Sequence, residues 1–167
     1  IGVVIVSILS FSLRGTNKTN AVNLIRTNGN QALNLMVKTI GYAKTFDGVD
    51  KGDGVYIINC VPSPTPTPIT YKKVRVTGYD DVQTTFSCEG DKITAKTNSN
   101  EASTIIDTNT VSLVSGKCWF TCSQDRATSN PIIGISFSLK QKADSALVES
   151  KATMNFETSV TFRNLIK

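Results

Sequence analysis

The chain has 167 residues, 40% of them hydrophobic and 19% charged, with four Cys, no His and a formal charge of +5. That length and a mean hydropathy of -0.06 fit one folded domain with room for a core, and exclude both wholesale disorder and a polytopic membrane protein. Without an imidazole, Ser/His/Asp and Cys/His nucleophilic mechanisms and Cys/His zinc sites are excluded as well.

Residues 1–13, IGVVIVSILSFSL, run without a charge up to Arg14. As a helix they would reach roughly 20 Å at ~1.5 Å per residue, short of a ~30 Å hydrocarbon core. A membrane span clipped at Ile1, the apolar core of an uncleaved signal and an ordinary buried helix all fit such a run. The clipped span is the reading taken, because the run is open at the chain end. Its apolar residues are Ile1, Val3, Val4, Ile5, Val6, Ile8, Leu9, Phe11 and Leu13.

Beyond it, Val22, Ile25, Gly29, Leu33, Met36, Ile40 and Ala43 recur at steps of three and four, with Asn20, Asn23, Thr27, Asn30, Asn34 and Lys38 off the stripe. This predicts an amphipathic helix over residues 20–46, with Val22, Ile25, Leu33, Met36 and Ile40 packing on a sheet. Gly15-Thr16-Asn17-Lys18-Thr19-Asn20, poor in helix formers, predicts a weak spot between the two helical parts. Gly41 and Asp47-Gly48 predict a helix end near Phe46. The charge is concentrated here: residues 1–46 hold Arg14, Lys18, Arg26, Lys38 and Lys44 and no acid, while the remaining 13 basic residues balance the 13 acidic ones. A basic bias confined to one segment gives the body no electrostatic reason to bind nucleic acid.

The period then changes to two. Residues 54–60 (GVYIINC), 71–77 (YKKVRVT) and the alternation Val82, Thr84, Phe86, Cys88 read as strands, with Gly78-Tyr79-Asp80-Asp81 as a hairpin turn. Val111 and Leu113, then Ile133 to Leu139, then Met154 to Phe162 continue the alternation. With no βαβ rhythm, the predicted class is α+β: one long N-terminal helix, apolar anchor plus amphipathic stalk, packed on an antiparallel β-sheet head spanning residues 47–167. Pro62, Pro64, Pro66 and Pro68 predict a stiff extended loop, and residues 141–151 a long hairpin connection.

Four cysteines, Cys60, Cys88, Cys118 and Cys122, behind an apolar segment predict two disulfides in an exported domain. Three connectivities exist, and sequence proximity favours Cys60 with Cys88 and Cys118 with Cys122. A straight strand from Cys118 to Cys122 would hold those two Cα atoms roughly 13 Å apart, beyond the ~7 Å a bridge tolerates. A local bond therefore requires a turn at Trp119-Phe120; an extended segment sends both cysteines to Cys60 and Cys88 instead. Asn17-Lys18-Thr19 matches a glycosylation triplet but reads as a solvated turn. Lys72-Lys73-Val74-Arg75 and the Asp80-Asp81 pair read as exposed charge and turn chemistry. No phosphate-loop or calcium-loop pattern is present, and no residue set calls for a catalytic role, a metal or a cofactor.

The apolar run leading into the stalk NLIRTNGNQALNLMVKTIGYAKTF, followed by an antiparallel sheet with disulfides, resembles the type IV pilin and pseudopilin superfamily. Ile1-Gly2-Val3-Val4-Ile5 is similar to the middle of the prepilin helix, QALNLMVKTIGYAK to minor pilin stalks, and Ser159-Val160-Thr161-Phe162-Arg163-Asn164 to their C-terminal strand ending. The superfamily's cleavage glycine and first-turn glutamate would fall ahead of Ile1. The resemblance implies a non-catalytic structural subunit of a type IV pilus-like filament or secretion pseudopilus, more a minor than a major one. Residues 1–13 would sit in the inner membrane and then pack against other pilin or pseudopilin subunits, with the head exported to the cell surface or an extracellular filament. It implies no small-molecule substrate. The competing expectation is a membrane-tethered exported binding domain, for a surface, glycan or DNA, that does not polymerise.

Overall fold

The computed structural model describes residues 2–60, 69–98, 100–126, 129–142 and 152–162, with side chains of the helix described from Lys18 onward. The proline loop, most of the connection after Gln141, the side chains of residues 1–13, and Arg163 and Asn164 lie outside the described residues.

One helix, α1 (Gly2–Gly41), leads the chain. It continues through residues 15–20, where a weak spot is expected, so Asn17-Lys18-Thr19 is helical rather than a turn. It ends at Gly41, earlier than the predicted Phe46, and Tyr42 closes the last turn by donating its N–H to the Lys38 carbonyl at 3.1 Å. Phe46 instead lies in a strand.

Nine strands follow among the described residues: β1 (Thr45–Asp50), β2 (Thr70–Tyr71), β3 (Lys73–Thr77), β4 (Gln83–Glu89), β5 (Lys92–Thr97), β6 (Ser103–Thr104), β7 (Val111–Ser123), β8 (Ile132–Gln141) and β9 (Thr153–Thr161). They form two antiparallel sheets, ordered β1-β3-β4-β5-β6 and β2-β7-β8-β9. This corrects the α+β expectation of a long helix on a single sheet head. The protein is mostly β, and the part of the helix whose packing is described, residues 18–41, is short beside its two sheets. The pilin-like architecture is not what the strands build.

The division into two sheets is written at Lys72. The stretch predicted as one strand, 71–77, is two: Tyr71 pairs with Phe120 in the second sheet, whereas Val74 pairs with Val49 and Phe86 in the first. Tyr71 and Val74 are both buried although three residues apart, an odd step that a single strand with alternating faces cannot accommodate. Lys72 takes the corner, donating its N–H to the Asp50 carbonyl at 2.8 Å and accepting from Cys88 N–H at 2.9 Å.

The predicted strand 54–60 is reduced to one isolated bridge, Val49 with Ile57. Residues 83–89, 132–141 and 153–161 are strands close to where alternation places them. The hairpin between β3 and β4 turns at residues 78–81, with Asp81 in the left-handed region at φ 56°. Glu89-Gly90-Asp91 turns β4 into β5, a hairpin unread in the sequence; Gly90 carries φ 59° there.

Residues 18–41 lie on β8 and β9, contributing Ala21, Ile25, Ala32, Met36 and Ile40 to the core. Of the predicted packing residues, Ile25, Met36 and Ile40 are fully buried, Leu33 is half-buried against the core and Val22 is half-buried at its margin. Gly29 sits so close to β9 that a Cβ there would overlap the Phe156 ring. Phe156 of β9 stacks on Phe137 of β8 at 5.2 Å, and Phe46 of β1 meets Phe162, just past β9, at 5.3 Å.

Candidate functional site

Three features of the surface bear on function: the helix face turned away from the sheets, the disulfide-bound β7, and the turn after β1.

On α1 the buried stripe is not the only apolar one. Leu24, Leu35 and Tyr42 are 41%, 46% and 57% exposed. Leu24 and Leu35, 11 positions apart, return to nearly the same azimuth at ~100° per residue, with Asn28 and Gln31 between them, and Tyr42 follows just past the helix end. Leu24 stands about 100° round from Ile25 by the same geometry. Between them run Asn20, Asn23, Arg26, Thr27, Asn30, Gln31, Asn34 and Lys38, all exposed and without one acid. Asn28 fixes the helix to the strand connection beneath it, accepting Asp107 N–H at 2.9 Å while donating to the Leu24 carbonyl at 3.0 Å. Periodicity of the core stripe conceals this second line, because Leu24 and Leu35 count as noise when only one face is sought.

Strand β7 is bound at two points. Cys118 bonds to Cys88 of β4, with Cα atoms 5.7 Å apart, and Cys122 to Cys60, with Cα atoms 5.5 Å apart. Proximity pairing is thereby corrected. Residues 118–122 are extended within β7, which holds Cys118 and Cys122 too far apart for each other and leaves both facing partners from other segments. The Cys88–Cys118 bridge joins the two sheets. The Cys60–Cys122 bridge is reinforced by Gln124, whose Oε1 accepts Cys60 N–H at 2.6 Å and whose own N–H donates to the Cys60 carbonyl at 3.0 Å. Just before Cys118 the β7–β8 register slips between Leu113 and Cys118, with Gly116 at φ 70°. A cleft of about 450 Å³ opens there, lined by Lys72, Lys73, Glu89, Gly116 and the Cys88–Cys118 bridge. Lys73 faces Glu89 at 3.6 Å and the Lys72 ammonium approaches the Cys118 carbonyl at 3.5 Å, so its charges are already engaged within the fold.

The remaining candidates are accounted for locally. Asp81 accepts from the Lys44 ammonium at 2.6 Å, a hydrogen bond that, with the charge behind it, raises the Lys44 pKa above its ordinary value. Asp80 accepts Val82 N–H at 3.2 Å, as turn chemistry predicts. Arg75 lies over the Tyr56 ring at 3.7 Å. Among the described residues no three His, Cys, Asp or Glu side chains converge on a metal-holding position, and no helix is long and apolar enough to cross a membrane.

The turn after β1 carries no signal in the sequence beyond ordinary turn composition. Asp50 is fully buried, and its Oδ1 accepts three backbone N–H groups, from Gly52 at 2.6 Å, Asp53 at 3.1 Å and Gly54 at 3.2 Å. Burial pushes its pKa up, but the Gly52 N–H and the donors that follow it outweigh burial and hold it below the ordinary carboxylate value. Stability gained this way is present above the unfolded pKa near ~3.9 and lost as pH falls through the lower folded value. Asp50→Asn is therefore expected to cost about 1 kcal/mol at pH 6, the low end for a charged hydrogen bond because only the turn itself shields the group. In urea titrations the gap from wild type should close as pH drops below about 4. A gap that is constant with pH would show that the carboxylate charge is not what the turn uses.

No family model, curated protein or solved structure matches the chain.

Proposed function

We propose that the protein is a non-catalytic structural subunit, of the kind that builds type IV pilus-like filaments and secretion pseudopili, and that it assembles through its N-terminal helix. The observation that carries this reading is that α1 buries Ile25, Met36 and Ile40 against the strands and still leaves Leu24 and Leu35 exposed on another face, with Tyr42 exposed just past its end. Leucines left outside the buried stripe are surface that a neighbouring subunit can cover. The uncharged run of residues 1–13 extends the apolar character toward the chain start, and its membrane residence before assembly belongs to the same proposal. The two disulfides fit a head that works in an oxidising compartment at the cell surface. Its partners are other subunits of the same class.

Exposed positions away from caps and core tolerate substitution within about 0.5 kcal/mol. Leu24→Asp with Leu35→Asp should accordingly leave the unfolding midpoint of the protein within a few degrees of wild type, yet remove it from the sheared surface fraction of the cells that make it. Undiminished recovery of the double variant in that fraction would show that the stripe plays no part in assembly, and would favour a tethered domain.

A further inference from the structure

Pairing register gives the second sheet two unlike faces. The rows Cys118-Phe137-Phe156 and Phe120-Ile135 are buried and look into the core, where Gly29 of α1 meets Phe156. The alternate rows look outward, and there Trp119, Ser136 and Glu157 lie side by side across β7, β8 and β9. Thr121, Gly134 and Ser159 form the next row, and Ser138 with Asn155 the one before. Trp119 is the chain's one tryptophan. It is half-buried on this hydroxyl-rich face, with no hydrogen bond and no aromatic neighbour among the described residues, so core packing does not account for it. Around it the polar groups are held in place. Buried Ser138 donates to Asn155 Oδ1 at 2.7 Å, which leaves the N–H groups of that exposed amide to donate outward. Gly134 raises no side chain, and the Thr121 hydroxyl leans over it so closely that a Cβ there would collide with the oxygen. Glu157 is exposed and has no ion-pair partner among the described residues. One aromatic ring is thus bordered by donors and acceptors at strand spacings of ~4.8 Å across the sheet and ~6.8 Å along it.

We infer that this face binds a neutral glycan, with one pyranose ring stacked on Trp119 and its hydroxyls bonded to Glu157, Asn155 and the neighbouring Ser and Thr hydroxyls. A sugar ring has both characters the face offers to match. Its weakly positive C–H bonds suit the negative face of an indole, and its rim of hydroxyls both donates and accepts. Charge selects against a polyanion. Glu157 stands at the middle of the face, so a chain of phosphates, sulfates or uronates laid across it would meet a carboxylate. The nearest cations form no track across the sheet: Lys140 lies opposite Thr153, two rows from Glu157, Lys117 belongs to the bulge before Trp119, and the Lys72 ammonium is directed to the Cys118 carbonyl. An apolar protein surface would leave the Ser and Thr hydroxyls unpaired, at a cost that sugar hydroxyls avoid. The site lies on the side of the sheet opposite α1, so it stands whether or not the protein assembles.

As the one tryptophan, Trp119 reports on its own surroundings. The test is titration of the oxidised full chain, in a detergent without sugar headgroups, with cellohexaose, maltohexaose and chitohexaose, and with heparin as the polyanion. Tryptophan fluorescence and isothermal calorimetry are the readouts. The expected result is a saturable blue shift with at least one neutral hexasaccharide and none with heparin. Trp119→Ala should abolish the calorimetric signal. Glu157→Gln, at an exposed position, should melt within about a degree or two of wild type and bind about tenfold more weakly, which separates loss of a ligand contact from misfolding. No saturable response to any of the three hexasaccharides up to about 10 mM would overturn the proposal. Binding that Glu157→Gln and Trp119→Ala leave unchanged would overturn it too, as would a response to heparin alone, which would assign the face to a polyanion.

Discussion

Replacing Cys88 and Cys118 together by Ala is expected to lower stability by about 3–4 kcal/mol and the unfolding midpoint by roughly 10 °C. The bridge closes a sequence separation of 30 residues, for which the chain-entropy relation gives about 3.6 kcal/mol. Its position adds a specific consequence. β4 belongs to the five-stranded sheet and β7 to the four-stranded one, and the bridge cross-links them. Cys88 and Cys118 are also buried, at 9% and 6% exposure, so truncation removes packing at the junction as well. The Cys60–Cys122 bridge spans 62 residues, and the same relation assigns it a somewhat larger entropic share, about 4.3 kcal/mol. There, however, Gln124 still grips the Cys60 backbone from both sides, so the segment keeps its place when the bridge is cut. Equilibrium urea unfolding of the two double-Ala variants measures both. A loss under about 1 kcal/mol for the Cys88/Cys118 pair would mean that the sheets hold each other without it.

Gly29→Leu is expected to be the most damaging single change on the helix, at about 3 kcal/mol or more. Leucine improves helix propensity over glycine by nearly 1 kcal/mol, so the loss must come from sterics. A side chain at this position enters the space of the Phe156 ring, and Phe156 cannot yield because it is buried and stacked on Phe137. Overpacking of this kind costs ~1–3 kcal/mol for added methylenes and more where backbone must move. Phe156→Ala alone should cost ~3–5 kcal/mol by leaving a cavity. Combined with Gly29→Leu, whose side chain would occupy that cavity, the double variant should lose clearly less than the sum. Thermal melts of the three variants decide this, and strict additivity would mean that helix and β9 do not meet at Gly29.

Those two contacts also show where the sequence was readable and where it was not. The apolar spacing that includes Ile25, Met36 and Ile40 runs through three fully buried positions, because a helix must bury its stripe somewhere. Alternation finds β8 and β9 for the same reason: Ile133, Ile135, Phe137 and Leu139 form one face of a strand and are all buried. What was missed lay in breaks of parity. Tyr71 and Val74 are separated by an odd number of positions, as are Leu113 and Cys118, and each break marks a place where the chain changes sheet or bulges. Adjacent Lys72-Lys73 and Ser115-Gly116-Lys117 were the visible signs. Residues 71–77 taken as one strand across Lys72-Lys73 give one sheet where there are two. The disulfides depend on the same point, since the extended course of β7 decides that Cys118 and Cys122 bond to different partners. The Asp50 turn was less accessible to sequence: one Asp before Lys-Gly-Asp-Gly is ordinary turn composition, and only the three N–H groups gathered on Oδ1 set it apart.

Assembly through the helix is tested by immunogold electron microscopy of the producing cells, with antibodies raised against the disulfide-bonded β portion. Label is expected on filaments that extend from the cell surface or on short fibres spanning the envelope, and is lost when Leu24 and Leu35 are both changed to Asp. Label confined to the cell body, unchanged in that variant, would contradict it.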